Sequence, residues 1–351
     1  MILPQLINQT TATPGEAGNP TVAVLGCGYW GQNLVRNFQH LGALRAVGDL
    51  SEKGRSRARE LAPEAILFED FHKVLRDPRI EAVVIATPAD THFSIVKEAI
   101  ENGKHVLCEK PLALHYRQAV QLERMASAAN CTLMVGHLLE YHPAVAKLKE
   151  MVEDGVLGRI QYIYSNRLNF GKVRTEENAL WSFAPHDVAV ILRLVGEDPL
   201  QVTAIGGTYI TPNLADVTVS TLHFRTGVRA HVFVSWINPF KEQKLVVVGS
   251  RKMAVFNDVV SDEKLTLYDQ QVGLNGREPV LHKGPIEIVP IASAEPLRLE
   301  CQHFLDVVRN GTTPLTDGKS GLRVLKVLEA CQISLQLNGR PIMISDVRED
   351  G

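Results

Sequence analysis

The sequence of 351 residues is poor in cysteine, has no long apolar run and carries almost no net charge, and each shortage excludes a class of protein. Its five cysteines, at 27, 108, 131, 301 and 331, are an odd number, widely separated and without a CxxC pair. A disulfide scaffold or zinc ribbon is therefore not expected, no metal ligands are assigned, and a reducing cytoplasm is the default compartment. No run of about 18 apolar residues offers a membrane span. The first twenty residues, MILPQLINQTTATPGEAGNP, lack a basic segment followed by an apolar one, so they read as a loose polar leader and not a secretory signal. Lys plus Arg (37) nearly balance Asp plus Glu (39), giving a formal charge of -2. That excludes a general nucleic-acid binder, which needs a basic field, but not a small phosphorylated ligand held by two or three local cations.

What is present is length and pattern. The length suits two domains. Short apolar runs of strand length at 21–25, 44–49, 82–86, 105–108 and 132–136 alternate with amphipathic stretches at 32–41, 91–102 and 114–129. Such alternation predicts an α/β Rossmann domain, a parallel sheet covered by helices, over residues 21–140. After a helix at 143–154 the rhythm changes to consecutive strands at 160–170, 202–210, 216–224, 228–237, 244–249 and 253–257, with a hairpin turn at 224–228. Residues 141–351 are therefore expected to form an α+β domain with a large open mixed sheet, closed by helices at 296–309 and 321–337 that could pack back on the first domain.

Gly26-Cys-Gly28-Tyr-Trp-Gly31 fits G-x-G-x-x-G. The pattern is informative here because it follows an apolar strand and opens an amphipathic helix. Gly26 permits the turn, Gly28 admits a pyrophosphate, Gly31 allows close helix packing, and Tyr29 and Trp30 between them join the cofactor-binding set. The helix N-terminus supplies N–H groups to the phosphates. Asp49 ends the next strand, about 20 residues on, where a carboxylate accepts from the ribose hydroxyls and favours NAD over NADP. Arg55 and Arg57 are read as solvated residues of the following helix.

Three further features fall at strand ends: Ala86-Thr87-Pro88-Ala-Asp-Thr91-His92, Cys108-Glu109-Lys110-Pro111, and Gly136-His137. With the glycine loop, the ATPxxxH and EKP segments make the chain from Val22 onward resemble the Gfo/Idh/MocA family of oxidoreductases. The resemblance implies that Thr87, Pro88 and His92 line the nicotinamide half of an NAD site. It places Glu109 and Lys110 beside the nicotinamide and the reacting carbinol, and Pro111 in a turn whose preceding peptide is often cis. The family's D-x-G-x-H segment is matched by Trp181-Ser182-Phe-Ala184-Pro-His186-Asp187, in which Ser182 replaces the Asp and Ala184 the Gly. Lys110 and His186 are the expected catalytic pair, with the proton assigned to neither alone. A buried site and a cationic ring favour a neutral lysine base, and histidine titrates near the useful pH.

Two other segments supply substrate contacts. His137-Leu-Leu-Glu140-Tyr141-His142 superficially suggests zinc, but the two histidines are five apart and Pro143 follows. It reads as the crossover between domains, with His137 and Tyr141 near the site. The segment from Tyr164 to Arg174 is expected to leave a strand for a polar loop whose cations, Arg167 first and Arg174 and Lys172 with it, suit a diphosphate. Trp181 completes the substrate set.

The stretch from Asn166 to Asp187, together with LGCGYWGQNLVRNF, resembles the branch of the family that acts on nucleotide-linked amino sugars. What this implies is NAD-dependent oxidation of the C3 hydroxyl of UDP-N-acetylglucosamine to a 3-keto sugar, consumed by a pyridoxal-phosphate aminotransferase for lipid A or surface polysaccharide. Oxidation of a free sugar, inositol or a UDP-sugar uronic acid is the enzyme alternative, and an NAD-binding regulator without catalysis the alternative of another class. The resemblance also implies a homodimer or homotetramer packed through the open sheet face, with no nucleic-acid and no membrane partner.

Overall fold

The computed structural model describes residues 18–171 and 173–349; most of the expected leader, and Lys172, lie outside them. The chain divides into two compact units: one runs to Tyr141 and includes Ala294–Leu322, and the other holds His142–Ser293 and Arg323–Glu349.

The first unit is a six-stranded parallel sheet of β1 (Val22–Leu25), β2 (Leu44–Gly48), β3 (Ile66–Phe68), β4 (Ala82–Ile85), β5 (His105–Glu109) and β6 (Leu133–Gly136), in the order β3-β2-β1-β4-β5-β6. Every residue of β1 and β4 is buried, which explains their continuous apolar sequences: parallel strands covered on both faces have no solvent side to mark. The covering helices include α1 (Gly31–His40), α2 (Glu52–Leu61), α3 (Phe71–Leu75), α4 (Ala89–Glu101) and α5 (Tyr116–Ala128). Strand order reverses at β1 and β4, and the carboxyl ends of strands at such a switch are where dinucleotides bind.

α6 (Pro143–Glu153) and α7 (Ala179–Val195) belong to the second unit, and α8 (Pro296–Asn310) returns to the first. There α8 packs on α1 and on the short turn Leu138–Tyr141, with Phe304 edge-on to Phe38 at 6.4 Å. α9 (Gly318–Gln336) begins in the first unit and continues in the second.

The second unit is built on a nine-stranded mixed sheet. Its strands are β7 (Ile160–Phe170), β8 (Pro199–Gly207), β9 (Val217–Phe224), β10 (Arg229–Ser235), β11 (Ile237–Gly249), β12 (Met253–Asn257), β13 (Leu265–Asn275), β14 (Glu278–Ile288) and β15 (Ile342–Met343). The order is β14-β13-β12-β11-β7-β10-β9-β8-β15, with β7 and β10 parallel and all other neighbours antiparallel. β9 alternates between fully and partly buried positions, as a strand with one better-covered face should. α7 lies against β7, β9 and β10. Its Asn178 cap accepts from the Trp181 N–H at 3.2 Å, and Gly196, at φ 81°, closes its far end.

Candidate active site

Five strand ends of the first unit carry the residues singled out in the sequence. At the end of β1, Gly26 adopts φ +92°, and a Cβ there would lie 2.7 Å from the Ala86 carbonyl oxygen. The glycine turn is thus seated directly on the end of β4. A Cβ on Gly31 would meet the Gly26 oxygen at 1.9 Å, whereas one on Gly28 would meet nothing within 4 Å. The loop is closed on the sheet side and open at Gly28. α1 then starts without a side-chain cap and without an acid in its first turn, leaving its N–H groups for an anion. The open turn at Gly28 and the uncapped N-terminus of α1 fit the pyrophosphate of a dinucleotide.

The Asp49 carboxylate is more occupied than expected. It accepts from the Cys27 N–H at 2.7 Å, and from the N–H and hydroxyl of Ser51 at 2.8 and 2.7 Å. Arg55 and Arg57 differ from the solvated reading. Arg55 donates to the carbonyls of Asp49 and Leu50 and pairs with Glu52, while Arg57 donates to the Cys27 carbonyl at 2.8 Å. Both arginines therefore brace the turns around Asp49 and Cys27.

Trp30 donates its indole N–H to the Glu109 carboxylate, joining the glycine loop to the end of β5. Tyr29 beside it is almost fully exposed. Burial raises the Glu109 carboxyl, and the Trp30 N–H and Lys110 oppose that rise. The other Glu109 oxygen faces Gly136, where a Cβ would stand 3.1 Å away. Lys110 is half-buried, and the Lys110–Pro111 peptide is cis. His137 is buried, and desolvation, aided by the Lys110 charge, lowers it to about 3, so it is neutral.

Three placements in this unit correct the sequence reading or add to it. His92 is buried, with Nδ1 2.7 Å from the Pro111 carbonyl and Nε2 2.9 Å from that of Thr87. It ties the turn after β4 to the turn after β5 and does not present its ring to a cofactor. Tyr141 is wholly buried, its hydroxyl 3.1 Å from that of Thr316 and its ring beside His303, so it is a core residue and no substrate contact. Glu300, on α8, is fully buried with no hydrogen-bond partner for its carboxyl among the described residues, a lone acid in the apolar stripe of Leu297, Cys301 and Phe304.

In the second unit, Pro185 interrupts the helical hydrogen-bond ladder of α7 one residue before His186, which is half-buried. Arg167 lies within β7, not at its end. Its Nε donates to Asp187 at 2.7 Å and its terminal nitrogen at 3.3 Å, and Ser165 donates to the same carboxylate at 2.5 Å. Arg174 donates to Ser182 Oγ at 3.0 Å and pairs with Glu177 at 3.3 Å. The serine that stands where the family has an aspartate thus carries a cation. Trp181, expected at the substrate, is packed away, with its N–H on Gln332 at 3.1 Å. His142 caps α6 through Nδ1 and faces Asp258 through Nε2. Among the described residues, no His, Cys, Asp and Glu side chains gather in threes to hold a metal ion, and no helix is long and apolar enough to cross a membrane.

Comparison with known proteins gives concordant findings. The profile of the GFO/IDH/MocA oxidoreductases, an NAD-binding Rossmann fold, matches residues 21–137, and that of the GFO/IDH/MocA C-terminal domain matches residues 145–255. The chain is 25% identical over 316 residues, 89% of itself and 96% of the relative, to UDP-N-acetylglucosamine 3-dehydrogenase of Acidithiobacillus ferrooxidans. The solved structure of that enzyme aligns with a TM-score of 0.79 over 90% of this chain and 97% of the other. Scyllo-inositol 2-dehydrogenase (NAD(+)) of Bacillus subtilis is 27% identical over 92% of this chain and 95% of its own. The 2,7-anhydro-N-acetylneuraminate hydratase of Escherichia coli is 28% identical over 65% of each chain.

Proposed function

The chain belongs to the Gfo/Idh/MocA oxidoreductase family, and on that premise we propose that this NAD-dependent dehydrogenase oxidises the C3 hydroxyl of a UDP-linked amino sugar, UDP-N-acetylglucosamine, to the 3-keto sugar. The observation that carries the reading is the near end-to-end likeness, in sequence and in structure, to an enzyme named for that substrate. When bound, the cofactor supplies the nicotinamide carbon that accepts the hydride. Lys110, at the end of β5, takes the hydroxyl proton in its neutral form, and His186 shares that task from α7. Glu109 holds Trp30 and thereby the loop over the dinucleotide. Thr87 and Pro88 line the nicotinamide half, and Asp49 receives the ribose.

The 3-keto product suits a pyridoxal-phosphate aminotransferase, giving a 3-amino sugar for lipid A or surface polysaccharide in the cytoplasm. The protein acts as a homodimer or homotetramer packed through its large sheet. One observation favours a second reading, a neutral polyol or free sugar. Arg167 and Arg174, the cations expected to hold a diphosphate, are already engaged by Asp187, Ser182 and Glu177. NADH formation across UDP-sugars, free sugars and inositol separates the two. Turnover with UDP-N-acetylglucosamine supports the first, and turnover with inositol or free sugars alone supports the second.

A further inference from the structure

The carboxyl of Asp49 lies where a side chain at position 54 would be. A Cβ on Gly54 would stand 2.2 Å from Cγ and Oδ2 of Asp49 and 2.4 Å from Oδ1, closer than non-bonded atoms approach, so the acid fills the space that the glycine leaves. Gly54 is buried in the first turn of α2, and its φ is not positive. Alanine forms helix better than glycine, so the backbone gives no reason for glycine at this position. The Asp49 carboxyl does.

Donors on two segments hold the acid in that space. Oδ1 accepts from the N–H and the hydroxyl of Ser51, and Oδ2 from the Cys27 N–H. The Ser51 hydroxyl in turn accepts from the Gly54 N–H at 3.0 Å, so one serine both caps α2 and fixes the carboxylate. A carboxylate has roughly four lone-pair sites, and the one left here is on Oδ2. Packed against a helix backbone on one side and held by these donors, the charge has no room to turn aside. Arg57 donates to the carbonyl of the same Cys27 at 2.8 Å, which places a guanidinium within one residue's length of the acid. A guanidinium suits a phosphate, and the fixed acid beside it opposes one.

We propose that Gly54 and Ser51 are the positioning residues that make this site choose NAD(H) over NADP(H): Gly54 leaves the space in which the Asp49 carboxylate rests, and Ser51 fixes it there. The inference rests on the proposed function, which gives the adenosine ribose to Asp49. With the acid in place, its remaining site on Oδ2 receives one ribose hydroxyl, and a 2′-phosphate meets a negative charge that cannot move away. A side chain at position 54 expels the carboxylate, which costs the ribose its partner and leaves Arg57 as the nearest charge to a 2′-phosphate.

Fluorescence titration of the full-length protein with NADH and with NADPH measures the preference without any substrate. The wild type is expected to bind NADH more tightly, and equal binding of the two overturns the proposal. Gly54→Ala is expected to weaken NADH binding by at least about tenfold, the loss of one hydrogen bond to a charged group, and to narrow the preference for NADH by a similar factor. Ser51→Ala should narrow it in the same direction, and Ser51→Thr, which keeps the hydroxyl, should restore it. A merely structural glycine would act whatever stands at position 49, so the double-mutant cycle decides: in an Asp49→Ala background, Gly54→Ala is expected to change neither affinity. The same loss in both backgrounds, or a preference unchanged by Gly54→Ala alone, overturns the proposal. If Asp49→Ala leaves the preference unchanged, the ribose reading of Asp49 falls with it, whereas a shift with Asp49→Ala and none with Gly54→Ala overturns this inference alone. If Gly54→Ala does not fold, Ser51→Ala against Ser51→Thr decides, and equal preferences in those two overturn the proposal.

Discussion

The indole N–H of Trp30, in the glycine loop, donates to the carboxylate of Glu109, at the end of a strand on the other side of the switch point. The glycine loop and the strand end that carries Lys110 are therefore joined by a side-chain hydrogen bond. Trp30→Phe keeps an aromatic ring but removes the donor and leaves Glu109 with one fewer partner. Hydrogen bonds to charged groups contribute about 1.5–3 kcal/mol, so NADH binding should weaken by at least about tenfold in a fluorescence titration. Unchanged affinity would show that the loop is held by other means.

Lys110→Ala should lower turnover by about 100- to 10,000-fold, the ordinary contribution of a positioned proton acceptor, while NADH still binds. His186→Asn should also lower turnover, and by less if Lys110 carries most of the transfer. Steady-state rates beside a binding titration separate these effects. A Lys110→Ala enzyme with full activity would remove Lys110 from the mechanism.

Arg167 and Asp187 form a buried pair, with side chains 12% and 3% exposed. Removing one partner leaves an uncompensated charge, so Arg167→Leu should cost about 3–5 kcal/mol in urea unfolding. Replacing both residues by apolar ones of similar size should cost less. If Arg167→Leu leaves stability unchanged but weakens substrate binding, Arg167 is a ligand contact and not a structural cation.

Burial lowers His303 from 6.5 to about 4. A histidine kept neutral in the fold stabilises above its unfolded pKa and loses that contribution as pH falls from 6.5 toward 4. The wild type should therefore lose up to about 1.4 kcal/mol per pH unit over that window from this group alone. His303→Asn, though less stable at neutral pH, should show a correspondingly shallower slope in unfolding curves at several pH values. Equal slopes would mean that His303 is already charged in the fold.

The parallel sheet was legible because its strands are buried on both faces and their sequences are continuously apolar. The glycine loop was legible because its chemistry is local. What escaped depends on distance or exposure. β14 is exposed along almost its whole length and contains Pro279, Gly284 and Pro285, so it pairs with β13 through its backbone and shows no apolar pattern. β3 is three residues long. The substrate assignments of Tyr141 and Trp181 rested on segment position, and burial decided otherwise. Arg167 and Asp187 are 20 residues apart, and no spacing rule joins them.

The central claim is that this dehydrogenase reduces NAD at the expense of UDP-N-acetylglucosamine, with Lys110 in the proton path. NADH absorbance followed with NAD and a panel of UDP-sugars, free sugars and inositol, for the wild type and Lys110→Ala, tests it most directly. The expected result is NADH formation with UDP-N-acetylglucosamine that Lys110→Ala lowers by at least about 100-fold; formation only with inositol or a free sugar, or undiminished formation by Lys110→Ala, would contradict it.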